Sequence, residues 1–509
     1  MPRRLIAGVA ALSFLAVAAS ATTGTAGAAS AAGTAESAAM AGGTTTASAR
    51  SSLPSTKFPL GQPGKATGKK KAIAKGIDLF TVRHGESTDG YTVSALMSGK
   101  DYGSAEQAEA AAEAVRAAGL PVGIQEVARP GVADYPAGVG YMVRTGVWKL
   151  DERAEAEKVV KRLGKAGVKA KVDFLGDDGL QTTGPWDMRV LTVDPRAFGG
   201  SYHAGIGVSV AKRETTSSMA KKAGAVAAVN GGFFNIHTDK KLRGEPVGVS
   251  VVNGRLLSEA VLGRSALILK GRGARITEVA TAVSATSADG EKVVINGVNR
   301  VAATDELLLY TEEFGEKTPA DEGAEAVLDA KGQVLEVRPA GGKVAAGTRV
   351  LHGTGIMADW IWSHAWESWN LKITTKVTDL RSGKTIPLTP ETSIIGGGVG
   401  LVRDGREHVT AKADGHANIN MILRRHPRTL AGVTKSGGLI LAVVDGRKPG
   451  VTVGASMVEA AHLMLWLGAQ QAINLDGGGS SAMVVNGKVV NHPSDGTERG
   501  VGDALLILP

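Results

Sequence analysis

From about Gly184 to the C-terminus, short apolar runs alternate with turn dipeptides, a rhythm of strands rather than helices. Asn253-Gly254, Asn296-Gly297, Asp404-Gly405, Asp445-Gly446 and Asn486-Gly487 each stand between strand-like segments. Such pairs accept positive φ and are the strongest short-range hairpin signal. One helix stands out. Ser456-Met457-Val458-Glu459 is a capping box, apolar residues follow through Leu467, and Gly468 closes it. It feeds a buried strand, Gln471 to Leu475, that runs into Asp476; a loop then leads to a second strand, Ala482 to Val485. Further upstream the pattern echoes itself, once from Tyr91 and again from Tyr141, each copy reading strand, helix, strand. The helices near Ser104 to Ala118 and Leu150 to Ala166 carry alanines and aliphatics at helical spacing and end at Gly119 and Gly167. The expected fold class is therefore α+β: a sheet-rich domain with a few helices, preceded by a small βαβ-repeat domain.

At 509 residues the chain exceeds a single core. It opens MPRR, then an apolar run from Leu5 to Ala19, then Ala26-Gly27-Ala28, the layout of a secretory signal; the run is short for a membrane span. The expected organisation is a signal peptide at 1–28, a disordered Ala/Thr/Gly/Lys-rich linker at 29–88, the repeat domain at 89–178 and the sheet-rich domain at 184–509. No cysteine is present, so a secreted fold must be held by its core. Of the net charge of +9, residues 1–90 hold +6, from ten Lys or Arg against four Asp or Glu. The basic arm Lys65 to Lys75 reads either as a contact for anionic wall polymers or as a solvated linker. Aromatic residues make up 4%, with no basic, aromatic-interleaved stripe, so nucleic acid is not an expected partner.

The chemistry concentrates in NLDGGGSSAMVVNG, Asn474 to Gly487. One glycine would serve a turn; three cost extra backbone entropy, which points to something approaching that backbone. Two other stretches share this grammar: AAVNGGFFN, Ala227 to Asn235, and RHPRTLAGV, Arg425 to Val433. Together they offer an amide, a guanidinium, a hydroxyl and a carboxylate, a set suited to a sugar phosphate, because arginine forks match phosphate oxygens and consecutive glycine amides form anion nests. Asp476 fits the carboxylate that glycoside cleavage requires, with Glu245 as the candidate second acid and Asp495 and Glu498 behind it. The plainer readings are that Asp476 caps its turn, that Arg428 pairs on the surface, that His408 and His426 are structural, and that Trp360, Trp362, Trp366 and Trp369 pack rather than form a sugar platform. Acids and glycines alone define no calcium site, so no metal ligand is assigned and no cofactor is required, with calcium left open.

Two resemblances extend this reading. The paired units with Tyr91-Thr92-Val93 and Tyr141-Met142-Val143 resemble the SPOR, or sporulation-related repeat, domain over about 85 residues. That resemblance implies binding to peptidoglycan strands; the generic βαβ pair is the other reading. NGGFF at 230–234, IGGGVGLVRDGR at 395–406, RHPRTLAGV, LAVVDGRKPG at 441–450, NLDGGGSSAMVVNG and PSDGTERGVGDALLI at 493–507 together resemble the phosphodiester glycosidase family over about 184–509. The resemblance implies hydrolysis of the bond between a sugar's anomeric carbon and a phosphodiester oxygen, as in GlcNAc-1-phosphodiesters. It carries over Asn230, Gly231, Gly232, Arg428, Thr429, Asp476, Gly477, Gly478, Ser480 and Ser481; with the residues read directly, the catalytic candidates are Asp476, Arg428, Glu245 and Asn230, and the substrate-binding ones Gly231, Gly232, Thr429, Gly477, Gly478, Ser480, Ser481, Asp495 and Arg499. The expectation is a secreted, wall-associated hydrolase whose partners are the sugar phosphodiester and, through the N-terminal module, peptidoglycan or anionic wall polymers, with no membrane contact after signal cleavage. The alternatives are a non-catalytic wall glycan or sugar-phosphate binding protein and a hydrolase that breaks the P–O bond instead.

Overall fold

Hydrophobic alternation builds the central sheet of the molecule. In the strand Leu439–Val444, Ile440, Ala442 and Val444 enter one core and Leu439, Leu441 and Val443 enter another, so the strand is buried on both faces. This strand lies inside an eight-stranded antiparallel sheet in the order 67–74, 77–84, 186–193, 439–444, 428–434, 469–474, 399–403 and 406–407. The helix Met457–Trp466 covers one face. It starts at Ser456 with the capping box to Glu459 in place, and Gly468 at φ +87° turns the chain back into the sheet. The other face packs on a five-stranded sheet in which Ala227–Asn230 lies between Met483–Val485 and Asp503–Leu508. A third body, with the long strand Gly273–Thr286 and the helix Ile356–His364, has its own core. The protein is strand-rich with few helices, as expected.

The computed structural model describes residues 53–236, 242–261, 263–315 and 317–509. The signal-peptide expectation at 1–28 lies outside the described residues. Among the described residues, no helix is long and apolar enough to cross a membrane. Three of the five turn dipeptides, Asn253-Gly254, Asp404-Gly405 and Asn486-Gly487, close tight hairpins with positive φ at both positions. Asp445-Gly446 does not: Asp445 is buried and accepts hydrogen bonds from Asn491 Nδ2 at 2.9 Å and the His492 amide.

The stretch expected as a linker differs from expectation within its described part. Thr67–Ala74 and Ile77–His84 form a hairpin at the edge of the central sheet, where Ile77, Leu79, Phe80 and Val82 are buried. The outer strand is almost wholly exposed and carries Lys69, Lys70 and Lys71, charges that protect an edge from pairing with another chain. Residues 91–174 make a four-stranded antiparallel sheet in the order 123–129, 138–148, 91–95 and 170–174, with the helices Ala105–Ala117 and Arg153–Lys165, a split-βαβ topology. The described residues form one compact unit that includes this sheet, and one core runs from Val93 and Phe174 to Leu430 and Val444.

Candidate functional site

The strands Ala227–Asn230, Arg428–Thr434 and Ala469–Asn474 end side by side, and their loops meet there. The Asp476 amide donates to Gly231 O at 3.0 Å, Leu475 N to Thr429 O at 2.8 Å and Gly478 N to Pro427 O at 2.8 Å. The fully buried Asn230 is the clamp of this junction. Its Nδ2 donates to Asp476 O at 2.7 Å, while its Oδ1 accepts from Thr429 Oγ1 at 2.6 Å and Ala482 N at 3.1 Å. Asn230 and Thr429 therefore position the Asp476 loop. Asn230→Ala would strand a buried hydroxyl and a buried amide, and we expect it to lower unfolding free energy by about 2 kcal/mol in a denaturant titration.

Asp476 stands at the loop, half-buried, with Gly477 N donating to its Oδ1 at 2.9 Å. Burial raises its carboxyl to about 6, against the lowering pull of the Ser480 hydroxyl, the Gly477 amide and the Arg499 and Arg447 guanidiniums. Behind it lies a second acid that the motif PSDGTERGVGDALLI contained but sequence reasoning did not single out. Asp503 is 2% exposed and accepts from Gly232 N at 2.7 Å through Oδ1. Its carboxyl is also pushed up to about 6, by burial and by the charge of Asp476. The site thus holds two carboxylates that compete for charge.

The glycines before the Phe pair serve this acid rather than a ligand. A Cβ at Gly231 would sit 2.3 Å from Asp503 Oδ1, and one at Gly232 would sit 2.4 Å from Gly396 O. In the Asp476 loop, the Gly477 and Gly478 amides are likewise taken by Asp476 and Pro427. Positive charge comes instead from two arginines over this loop. Arg499, paired with Asp495 through Nε at 2.9 Å, lies where a Gly479 side chain would stand, and Arg447 Nη1 lies 3.1 Å from a Cβ built on Gly478. Arg447 holds a left-handed backbone at φ +56°, a strained state for a side-chain-bearing residue. It donates to His426 Nδ1 at 3.2 Å. Burial, with Arg428 and Arg447 close by, lowers His426 to about 2 and keeps it neutral. Ser481 Oγ and Asn474 Oδ1 are buried at this loop without a protein hydrogen-bond partner.

Other candidates lie elsewhere or act differently. Arg428 is 2% exposed and spends its fork on protein carbonyls: Nε on Ala455 O at 2.8 Å and Nη2 on Met421 O at 3.3 Å. Burial pushes it down to about 9. Glu245 is raised to about 7 by burial and by Glu259, with Arg300 opposing, so its electrostatic partners belong to the third body. Glu498 accepts from Ser217 N at 2.8 Å and caps the helix Thr216–Ala223. Trp360 is buried in the third core, while Trp362, Trp366 and Trp369 are exposed. One metal-like group occurs among the described residues, Asp187, Asp445 and His492. Its carboxylates already accept from Arg83, Arg189 and Asn491, so it is satisfied within the protein.

Comparison with known proteins locates this site within a family. The phosphodiester glycosidase family matches residues 322–508, which include Arg428, Arg447, Asp476 and Asp503. The bovine (Bos taurus) N-acetylglucosamine-1-phosphodiester alpha-N-acetylglucosaminidase is 32% identical over 117 residues, 21% of each chain. The SPbeta prophage-derived protein YomE of Bacillus subtilis (strain 168) is 39% identical over 110 residues, 22% of this chain and 16% of that one. The chain thus spans about a fifth of the length of these curated relatives. A Burkholderia pseudomallei protein described as exported is similar over 90% of this chain and 100% of that chain, with a TM-score of 0.79 and 30% identity. The chain belongs to one family with that Burkholderia protein, and its residues 322–508 match the phosphodiester glycosidase family.

Proposed function

We propose that the protein hydrolyses the glycosidic bond of sugar-1-phosphodiesters, releasing a free sugar and a phosphomonoester. The observation that carries this reading is the coupled acid pair Asp476 and Asp503 beneath two arginines, Arg447 and Arg499. Glycosyl transfer away from phosphate develops positive charge on the sugar and negative charge on the departing phosphate. A half-buried carboxylate meets the first, where burial strengthens the interaction, and guanidiniums at the mouth of the loop meet the second. Asp476 is the catalytic carboxylate in this reading; the fully buried Asp503 is a positioning residue that holds the Gly231-Gly232 turn and sets the charge state of the pair. Half-buried His426, neutral beside Arg447, accepts from that guanidinium without adding charge.

This reading extends to a substrate among extracellular or wall glycopolymers, supported by the signal-like opening of the sequence and by the split-βαβ sheet at 91–174. In ¹⁸O-labelled water, the solvent oxygen is expected in the released sugar, as C–O cleavage requires. Label found in the phosphate would identify a phosphodiesterase that breaks the P–O bond. Absence of any turnover, with binding of the diester retained, would make the protein a sugar-phosphate binder.

A further inference from the structure

A cavity of about 330 Å³ opens between the split-βαβ sheet and the loops of the central sheet. Tyr91, Arg153 and Lys171 line it from the first side, and Asp177, His426 and Arg447 from the second. Arg447 also faces Gly478 of the Asp476 loop, so the cavity begins where the acid pair ends. Its cations divide into two groups. Arg424 is neutralised by Asp101 and Asp173, and Arg425 by Glu459 in a forked pair at 2.7 and 2.9 Å. Arg447 forms no ion pair with a described residue, and Arg153 and Lys171 have side chains that are 58% and 39% exposed, Arg153 paired with Glu157 and lying over the Tyr91 ring, Lys171 paired with Asp101 and Asp173. Asp177 Oδ1 is buried without a hydrogen-bond partner, and burial raises its carboxyl to about 7, so near neutrality it offers a proton as readily as a charge. Arg447 without an ion pair on one side, and the partly exposed Arg153 and Lys171 on the other, with a carboxyl able to donate, fit the oxygens of a phosphate.

We propose that this cavity binds a second phosphate on the leaving side of the substrate, so that residues 91–174 select sugar-1-phosphodiesters whose departing group is itself phosphorylated. The proposal rests on the hydrolase reading above, and it makes the N-terminal sheet part of the substrate site.

The test compares two substrates on the full chain: a sugar-1-phosphate methyl diester, and a diester whose alcohol ends in a phosphomonoester. Arg153→Glu, at a half-exposed position, and the double variant with Lys171→Ala, each compared with wild type by a melting curve, are expected to raise KM for the phosphorylated diester about tenfold with kcat retained. The methyl diester should shift by less than about twofold. Equal shifts on both substrates, or none on either, overturn the proposal. If the wild-type protein cleaves neither diester, the hydrolase reading fails, and calorimetric titration with inorganic pyrophosphate decides the cavity. Binding weakened about tenfold by Arg153→Glu supports the phosphate site; equal binding by wild type and variant overturns it.

Discussion

Asp476→Asn is expected to lower kcat for a sugar-1-phosphodiester by at least about a hundredfold while the fold is kept. The amide preserves the size of the side chain, and its Oδ1 still accepts the Gly477 N–H that the carboxylate holds at 2.9 Å. What it removes is the negative charge that stabilises a sugar cation, an interaction realised only as the bond breaks, so kcat falls far more than KM rises. A second signature comes from titration. The wild-type carboxyl ionises near 6, so the wild-type rate should carry a pH limb in that region, and the residual rate of the variant should lack it. Release of reducing sugar measured from about pH 4.5 to 8, together with a melting curve, reads both effects. A variant that keeps more than about a tenth of wild-type turnover would remove Asp476 from the catalytic role and return it to a turn cap.

Local signals in the sequence translated directly into structure. Ser456 and Glu459 cap the helix they announce, and Asn253-Gly254, Asp404-Gly405 and Asn486-Gly487 close hairpins, because each feature depends on residues adjacent in the chain. The site was legible as a place, since glycine-rich loops after strands were readable at 230–232 and 476–481. The roles inside it were less so. Asn230 and Thr429, read as facing a ligand, face each other at 2.6 Å, a pairing across 199 positions that composition cannot show. Asp503 reads as an ordinary residue entering a strand; its meaning comes from Gly232, 271 positions away. Arg447 was present in LAVVDGRKPG, but its left-handed backbone runs against residue preference and emerges only from the packing around it. The edge hairpin at 67–84 was hidden by its lysines, which make a protected sheet edge look like a solvated tether.

Asp503→Asn should separate the stability of the protein from its function. A carboxyl with an ordinary value of 3.8 is held near 6 in the folded protein by burial and by the neighbouring charge of Asp476, with the Gly232 amide opposing. Because the folded value lies above the unfolded one, the favourable contribution is complete below about pH 3.8 and is lost as pH rises through about 6. Above that, the folded state carries the cost of a buried charge. A difference of about two pKa units corresponds to about 3 kcal/mol, an upper figure because the new amide must also find an acceptor. The variant retains Oδ1 for Gly232 N, so the Gly231-Gly232 turn should persist. Its unfolding free energy is therefore expected to match wild type near pH 4 and to exceed it by about 1–3 kcal/mol near pH 8, as read by denaturant titration at both values. Turnover should fall at the same time, since Asp476 would face an uncharged neighbour and lose its coupled partner. A gain in stability joined to a loss of rate is the mark of charge stored for catalysis. A loss of stability that is the same at both pH values would instead make Asp503 a structural acid, and the paired-carboxylate mechanism would fall with it.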